Sequence, residues 1–242
     1  MEKVYQYLVD NYIENEPIFL SDIKIDGMTE NNIRQRLKMS TDTGKLKRFD
    51  KGIYFLPKDS SLGLGSYLPV EKVLERKYIK DSKGRFGYIS GLMFFNMIGL
   101  TTQLPMRYEV VTNKATSDYR EVLLGRTPVV VRRPKVTVTD DNYKCLQFLD
   151  MVKDVDVYSE LAGDELKARL YRYMDENDIK AADLEPYYEY YPDKLFRNLV
   201  ETRVIYNGIS ALCTDRCLKR ILDIISAFMI PGHHIARKLR VC

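Results

Sequence analysis

Asn31, Asn32, Arg34, Gln35 and Lys38 lie within one short stretch of the chain. Their amide, guanidinium and ammonium groups are hydrogen-bonding groups suited to base edges and phosphates. Lys45, Lys47, Arg48 and Lys51 follow almost at once, and Arg36 lies within the first group. The residues before them have the opposite balance: Glu2, Asp10, Glu14, Glu16, Asp22, Asp26 and Glu30 against Lys3 and Lys24. A net charge of +4 hides this reversal, and local clustering matters more than the total. Cations gathered in one segment are the electrostatic footprint of a phosphate-backbone binder. A solvated charged face is the plainer account of any charge run, so the decision rests on the elements that hold these residues.

Those elements can be read from spacing. Val4, Leu8 and Tyr12, with Tyr5, make one apolar stripe, which predicts a helix ending before Pro17. Ile18 to Ile23 reads as a short helical turn, and Ile25-Asp26-Gly27 as the bend after it. Thr29 is placed to cap the next helix. On that helix Ile33 and Leu37 share the core face, which turns Asn31, Asn32, Arg34, Gln35 and Lys38 outward. Gly44 ends it. Lys45 to Phe49 and Gly52 to Leu56 then read as two strands around an Asp50-Lys51 turn. Three helices and a hairpin in this order predict a winged helix-turn-helix. The amide-rich helix would enter the major groove, and Lys45, Lys47, Arg48 and Lys51 on the wing would meet flanking phosphates.

Residues 60–67 are rich in Ser and Gly and read as a linker between a winged helix-turn-helix at 1–59 and a larger domain at 68–242. In the latter, Val70 to Tyr78 and Leu92 to Ile98 read as helices, the second ended by Gly99. Tyr108 to Thr112, Val122 to Leu124 and Pro128 to Arg132 are strand-like, and Val136 and Val138 alternate with threonines. Asp140 is expected to cap an amphipathic helix from Asn142 to Val152. Helices follow over Glu165 to Met174, Lys194 to Val200 and Leu218 to Ile230. The fold class expected is mixed α/β (α+β) with a helical C-terminal part.

Other chemistry is poorly supported. His233 and His234 are the two histidines, and adjacent rings on a helix diverge. Cys213 and Cys217 lack a second ligand pair, and the four cysteines suit a reduced cytoplasm. Asp140-Asp141 and Asp154-x-Asp156 read better as structural carboxylates than as a nuclease pair. Gly63-x-Gly65 lacks the rest of a nucleotide-binding pattern. Tyr187, Tyr188, Tyr190 and Tyr191 are expected to pack rather than to stack on bases. No apolar run is long enough for a membrane span. The expectation is therefore no catalytic residue, no metal, no cofactor and no membrane. A second basic group, Arg132, Arg133 and Lys135 with Arg126 nearby, is either a solvated strand end or a contact to DNA or RNA phosphate.

The wing segment GKLKRFDKGIYFLP resembles the G-x-L-x-R-x-x-x-G-x-Y wing of the AbiEi family, antitoxins of bacterial type IV toxin–antitoxin systems, at Gly44, Leu46, Arg48, Gly52 and Tyr54. The segment from Gly87 to Lys114 resembles the start of that family's second domain, through its Gly-x-x-Ser-Gly helix entry, the break at Gly99-Leu100-Thr101 and the Val-Thr-Asn strand end. The likeness extends over about the first 155 residues. It implies a DNA-binding domain that represses the chain's own operon on an operator duplex. It also implies a C-terminal domain that opposes a nucleotidyltransferase-like toxin without a stable complex. The competing expectations are a partner- or ligand-responsive transcriptional regulator without antitoxin activity, and an enzyme acting on nucleic acid.

Overall fold

The computed structural model describes residues 2–58, 66–202 and 204. Most of the expected linker, the helix expected from Leu218 to Ile230, and Cys213, Cys217, His233, His234 and Cys242 lie outside the described residues. The fold is of the mixed α and β class. The chain forms two compact units, Met1–Gly84 with Glu121–Val129, and Arg85–Arg120 with Val130–Cys242.

The first unit opens with α1 (Glu2–Asn11), β1 (Ile18–Phe19) and a single 3-10 turn, Leu20–Asp22. Next come α2 (Glu30–Asp42) and the hairpin β2 (Lys47–Asp50) and β3 (Ile53–Phe55). The expected second helix thus begins as a strand. Ile18 and Phe19 pair antiparallel with Tyr54 and Ile53, closing a three-stranded sheet of order β1-β3-β2. β-branched Ile18, fully buried, suits that pleated position. Val4, Leu8, Ile18, Ile23, Ile33, Leu37, Leu46 and Leu56 make the core beneath. The wing turn also moves by one residue. It lies at Lys51-Gly52, because Asp50 pairs with Ile53 across a bulge between Arg48 and Asp50. Gly52 carries the turn at φ +74, a region side chains avoid.

Residues 70–84 group with this unit. α3 (Val70–Leu74) runs into a π-helical stretch, Glu75–Ile79, followed by the short strands β4 (Lys80–Asp81) and β5 (Gly84–Arg85). Lys72 pairs with Glu16, and Arg76 with Asp22 at 3.3 Å. Acids of the first segment are thereby faced by cations from α3 and its continuation.

In the second unit, β6 (Gly87–Ser90) leads into α4 (Gly91–Met97), and β7 (Tyr108–Thr112) runs antiparallel to β6. β8 (Tyr119–Leu124) and β9 (Thr127–Arg132), of which Glu121–Val129 group with the first unit, complete a four-stranded sheet of order β6-β7-β9-β8. Val136 to Thr139 is no strand. The Asn113 side chain takes the place of a neighbouring strand: its Nδ2 donates to the Val138 carbonyl at 2.8 Å and its Oδ1 accepts from the Val138 amide at 2.9 Å. Asn142, not Asp140, holds the N-cap position of α5 (Tyr143–Lys153), and its side chain bonds the Thr139 amide and the Thr137 carbonyl rather than the helix. The Asp140 carboxylate accepts instead from the Arg85 amide. Among the described residues the remaining α-helices are α6 (Val155–Tyr158), α7 (Gly163–Glu176), α8 (Ala181–Leu184), which runs on into a 3-10 stretch at Glu185–Tyr190, and α9 (Asp193–Glu201). They surround α5, which buries Leu146, Phe148, Leu149 and Val152 almost completely. Its buried Gln147 is satisfied by the Ile89 carbonyl at 2.7 Å, as an interior amide must be.

Candidate nucleic-acid interface

The N-terminus of α2 is fixed by Thr29, whose hydroxyl accepts from the Asn32 amide at 3.3 Å. Ile33 and Leu37 are buried, and both point into the core. With about 100° between successive residues, this anchoring leaves Asn31, Asn32, Arg34, Gln35 and Lys38 exposed, all on one continuous outer surface. Gln35, Asn31 and Lys38 stand opposite the core. Arg34 lies on one flank, and Asn32 and Arg36 on the other. Arg36 is also exposed, and its spacing from Asn32 adds it to the same flank, beyond the five groove residues expected from the sequence.

Arg34 folds back on Glu30 one turn earlier, with Nε 3.0 Å from the carboxylate. Both partners are more than half exposed, so the pair is weak, on the order of 0.5 kcal/mol. It is easily exchanged for an external acceptor.

The wing cations divide. Lys45 is exposed and rests near the Tyr5 ring, 5.3 Å from its centroid. Arg48 and Lys51 are exposed, and Arg48 Nε donates to the carbonyl of Asp50 at 3.2 Å. Lys47 is half-buried, and its ammonium donates to the Ser66 carbonyl at 2.9 Å. Ser66 also receives the Lys58 amide on its hydroxyl. Lys47 therefore ties the start of β2 to the chain at Ser66, and of the wing cations it alone has its charge turned inward.

The second basic group separates. Arg132 lies 3.3 Å from Glu109, a carboxylate only 7% exposed, and Arg107 stands on the other Glu109 oxygen at 3.7 Å. Arg133 faces Asp118 at 3.6 Å and donates to the Thr116 carbonyl. Arg126, by contrast, is exposed and belongs to the first unit. Glu109 also explains the Ser-Gly helix entry. Gly91 sits at φ +62, and a Cβ there would stand 2.5 Å from the Glu109 carboxyl carbon.

The thiol and phenols described have structural settings. Burial pushes the Cys145 thiol up to about 11, away from thiolate chemistry. Tyr188 and Tyr191 are buried, and Tyr191 donates to the Leu146 carbonyl. Tyr190 is exposed. Among the described residues no helix is long and apolar enough to cross a membrane.

Comparison with curated proteins finds none that matches this chain. The family model described as a family of unknown function, DUF6088, matches residues 11–160, a span that holds α2, the wing and the β6–β9 sheet, and the chain belongs to that family.

Proposed function

We propose that this chain binds double-stranded DNA through α2 and the wing and represses its own operon. The observation that carries this is the outer surface of α2. Five hydrogen-bonding side chains are exposed together on a helix whose other face is fixed by Ile33 and Leu37. A helix fits the major groove, and Asn, Gln and Arg match the donor and acceptor pattern of base edges there. The exposed Lys45, Arg48 and Lys51 supply the phosphate contacts that fix register. The test is a mobility-shift titration on the duplex upstream of the chain's own gene. Tighter binding there than to random duplex of equal length is expected; equal affinity for both would remove the regulatory role.

Through the resemblance of Gly44–Tyr54 and Gly87–Lys114 to the AbiEi antitoxins, the reading extends to an antitoxin acting in the bacterial cytoplasm. It would oppose a nucleotidyltransferase-like toxin without a stable complex. The two activities should separate. A full-length Arg34→Ala, Lys38→Ala variant should lose the operator yet still relieve growth arrest by a toxin encoded next to it. No relief by the wild-type chain would leave a DNA-binding regulator without antitoxin activity. A stoichiometric complex that co-purifies would place the antagonism in direct contact.

A further inference from the structure

The turn between β8 and β9 is fastened to the wing, wholly within the first unit. The Gly125 amide donates to Asp50 Oδ2 at 3.0 Å. Gly125 adopts φ +64 against the Phe49 ring, and a Cβ there would stand 3.1 Å from Phe49 Cζ. The other Asp50 oxygen accepts from the Lys51 amide at 2.7 Å. The single acid of the wing is thus occupied by backbone amides. Burial would raise its pKa, but the Gly125 and Lys51 amides, with Lys77 and Arg48 nearby, hold it below the ordinary carboxylate range.

The residue that follows Gly125 is Arg126. It is exposed and has no acidic partner among the described residues. Fixing Gly125 on Asp50 therefore brings the backbone of Arg126 to the wing segment that carries Arg48 and Lys51. A brace alone needs the glycine, the aspartate and the ring; it has no use for an unpaired guanidinium at the tip. We infer that the Gly125–Arg126 turn is a second phosphate-binding element, set beside the wing and contacting the backbone of the same duplex. This rests on the DNA-binding reading above. A guanidinium suits the role because its planar fork matches phosphate oxygens and it stays charged.

The test uses the full chain, titrated over a salt series against the upstream duplex and a random duplex of equal length. Arg126→Ala should weaken binding to both by the same factor. It should also lower the magnitude of the slope of log affinity against log salt by about 0.9, the loss of one phosphate contact. Arg126→Lys should restore most of the slope. Asp50→Ala separates position from charge. Removing a negative charge from a phosphate-facing surface would by itself tighten binding, whereas releasing the turn predicts weaker binding. Lys83→Ala, at an exposed cation of the β4–β5 turn, should change nothing. Unchanged affinity and slope in Arg126→Ala, while Lys51→Ala flattens the slope, would overturn this inference and leave the DNA-binding reading intact. Tighter binding by Asp50→Ala would likewise reduce the turn to a bystander. Absence of duplex binding by the wild-type chain at low salt would overturn both.

Discussion

At the scale of single residues, what decides a cation's use is which acceptor lies nearest. Lys47 and Lys51 are neighbours on the same hairpin, yet one donates to the Ser66 carbonyl and the other is exposed. Lys51→Ala should therefore flatten the salt dependence of DNA binding by about 0.9. Lys47→Ala should leave that slope nearly unchanged and lower the melting temperature instead. Equal slopes for the two variants would show that the inward ammonium turns out to meet DNA. The α2 side chains should behave differently again. Gln35→Ala is expected to cost on the order of 1–3 kcal/mol on the cognate duplex and little on random DNA, if its amide reads a base. Gly91 makes the same point in the second unit. Gly91→Ala combines an unfavourable φ with displacement of the buried Glu109 carboxylate from Arg107 and Arg132. Denaturant unfolding should show a loss on the order of 3 kcal/mol; a loss within 0.5 kcal/mol of wild type would mean that the Glu109 pocket yields easily.

At the scale of elements, α2 is held by three devices that act on different links of the chain. Thr29 fixes where the helix begins. Ile33 and Leu37 fix which face is hidden. Gly44, at φ +74, fixes where it ends. Thr29→Ala removes an acceptor from an orphan amide and should lower stability by about 1 kcal/mol. Because the cap sits one turn from Asn31 and Asn32, it should also weaken the cognate duplex more than random DNA. Chemical denaturation and the two titrations, run on one preparation, would reveal a purely thermodynamic cap if the ratio of affinities did not move. The closing of α4 uses a side chain from elsewhere in the unit. Arg169 donates to the Ile98 carbonyl, and its guanidinium lies where a side chain on Gly99 would be. A cation at a helix C-terminus is also favoured by the helix dipole.

At the scale of the whole molecule, charge is sorted by docking. Glu16 and Asp22 face Lys72 and Arg76, while Lys38, Lys51 and Arg126 remain exposed. The sorting has a pH consequence at Asp50. Its folded pKa lies below the unfolded value. Its contribution is therefore fully present above the unfolded value and is lost as pH falls through the folded one. Across neutral pH the wild type should show no effect from this group. Between about pH 5 and about pH 2, the stability difference between wild type and Asp50→Asn should shrink towards zero. A difference that stayed constant over that range would show that the link to Gly125 does not depend on the carboxylate charge.

Much of the first unit was legible because it is local. The cap at Thr29, the buried pair Ile33 and Leu37, and the exposed amides follow from a 3.6-residue period, which neighbouring residues set among themselves. The strand at Tyr108 to Thr112 and the helix stop at Gly99 were readable for the same reason, from apolar runs and one glycine. Tertiary structure decided what local pattern leaves degenerate. Ile18 and Phe19 became a strand because Tyr54 and Ile53, far along the chain, offered backbone partners. Val136 to Thr139 alternates like a strand, yet the Asn113 amide supplied the hydrogen bonds a neighbouring strand would have supplied. Asp140 could have capped α5, but the Arg85 amide claimed it. The division of the basic residues is equally invisible in sequence: Arg126, Arg132 and Arg133 lie close along the chain, and only the folded chain sets Gly125 on Asp50 and gives Arg132 to Glu109. Sequence fixes periodicity and capacity for hydrogen bonding; which long-range acceptor each group finds depends on distances that exist only after folding.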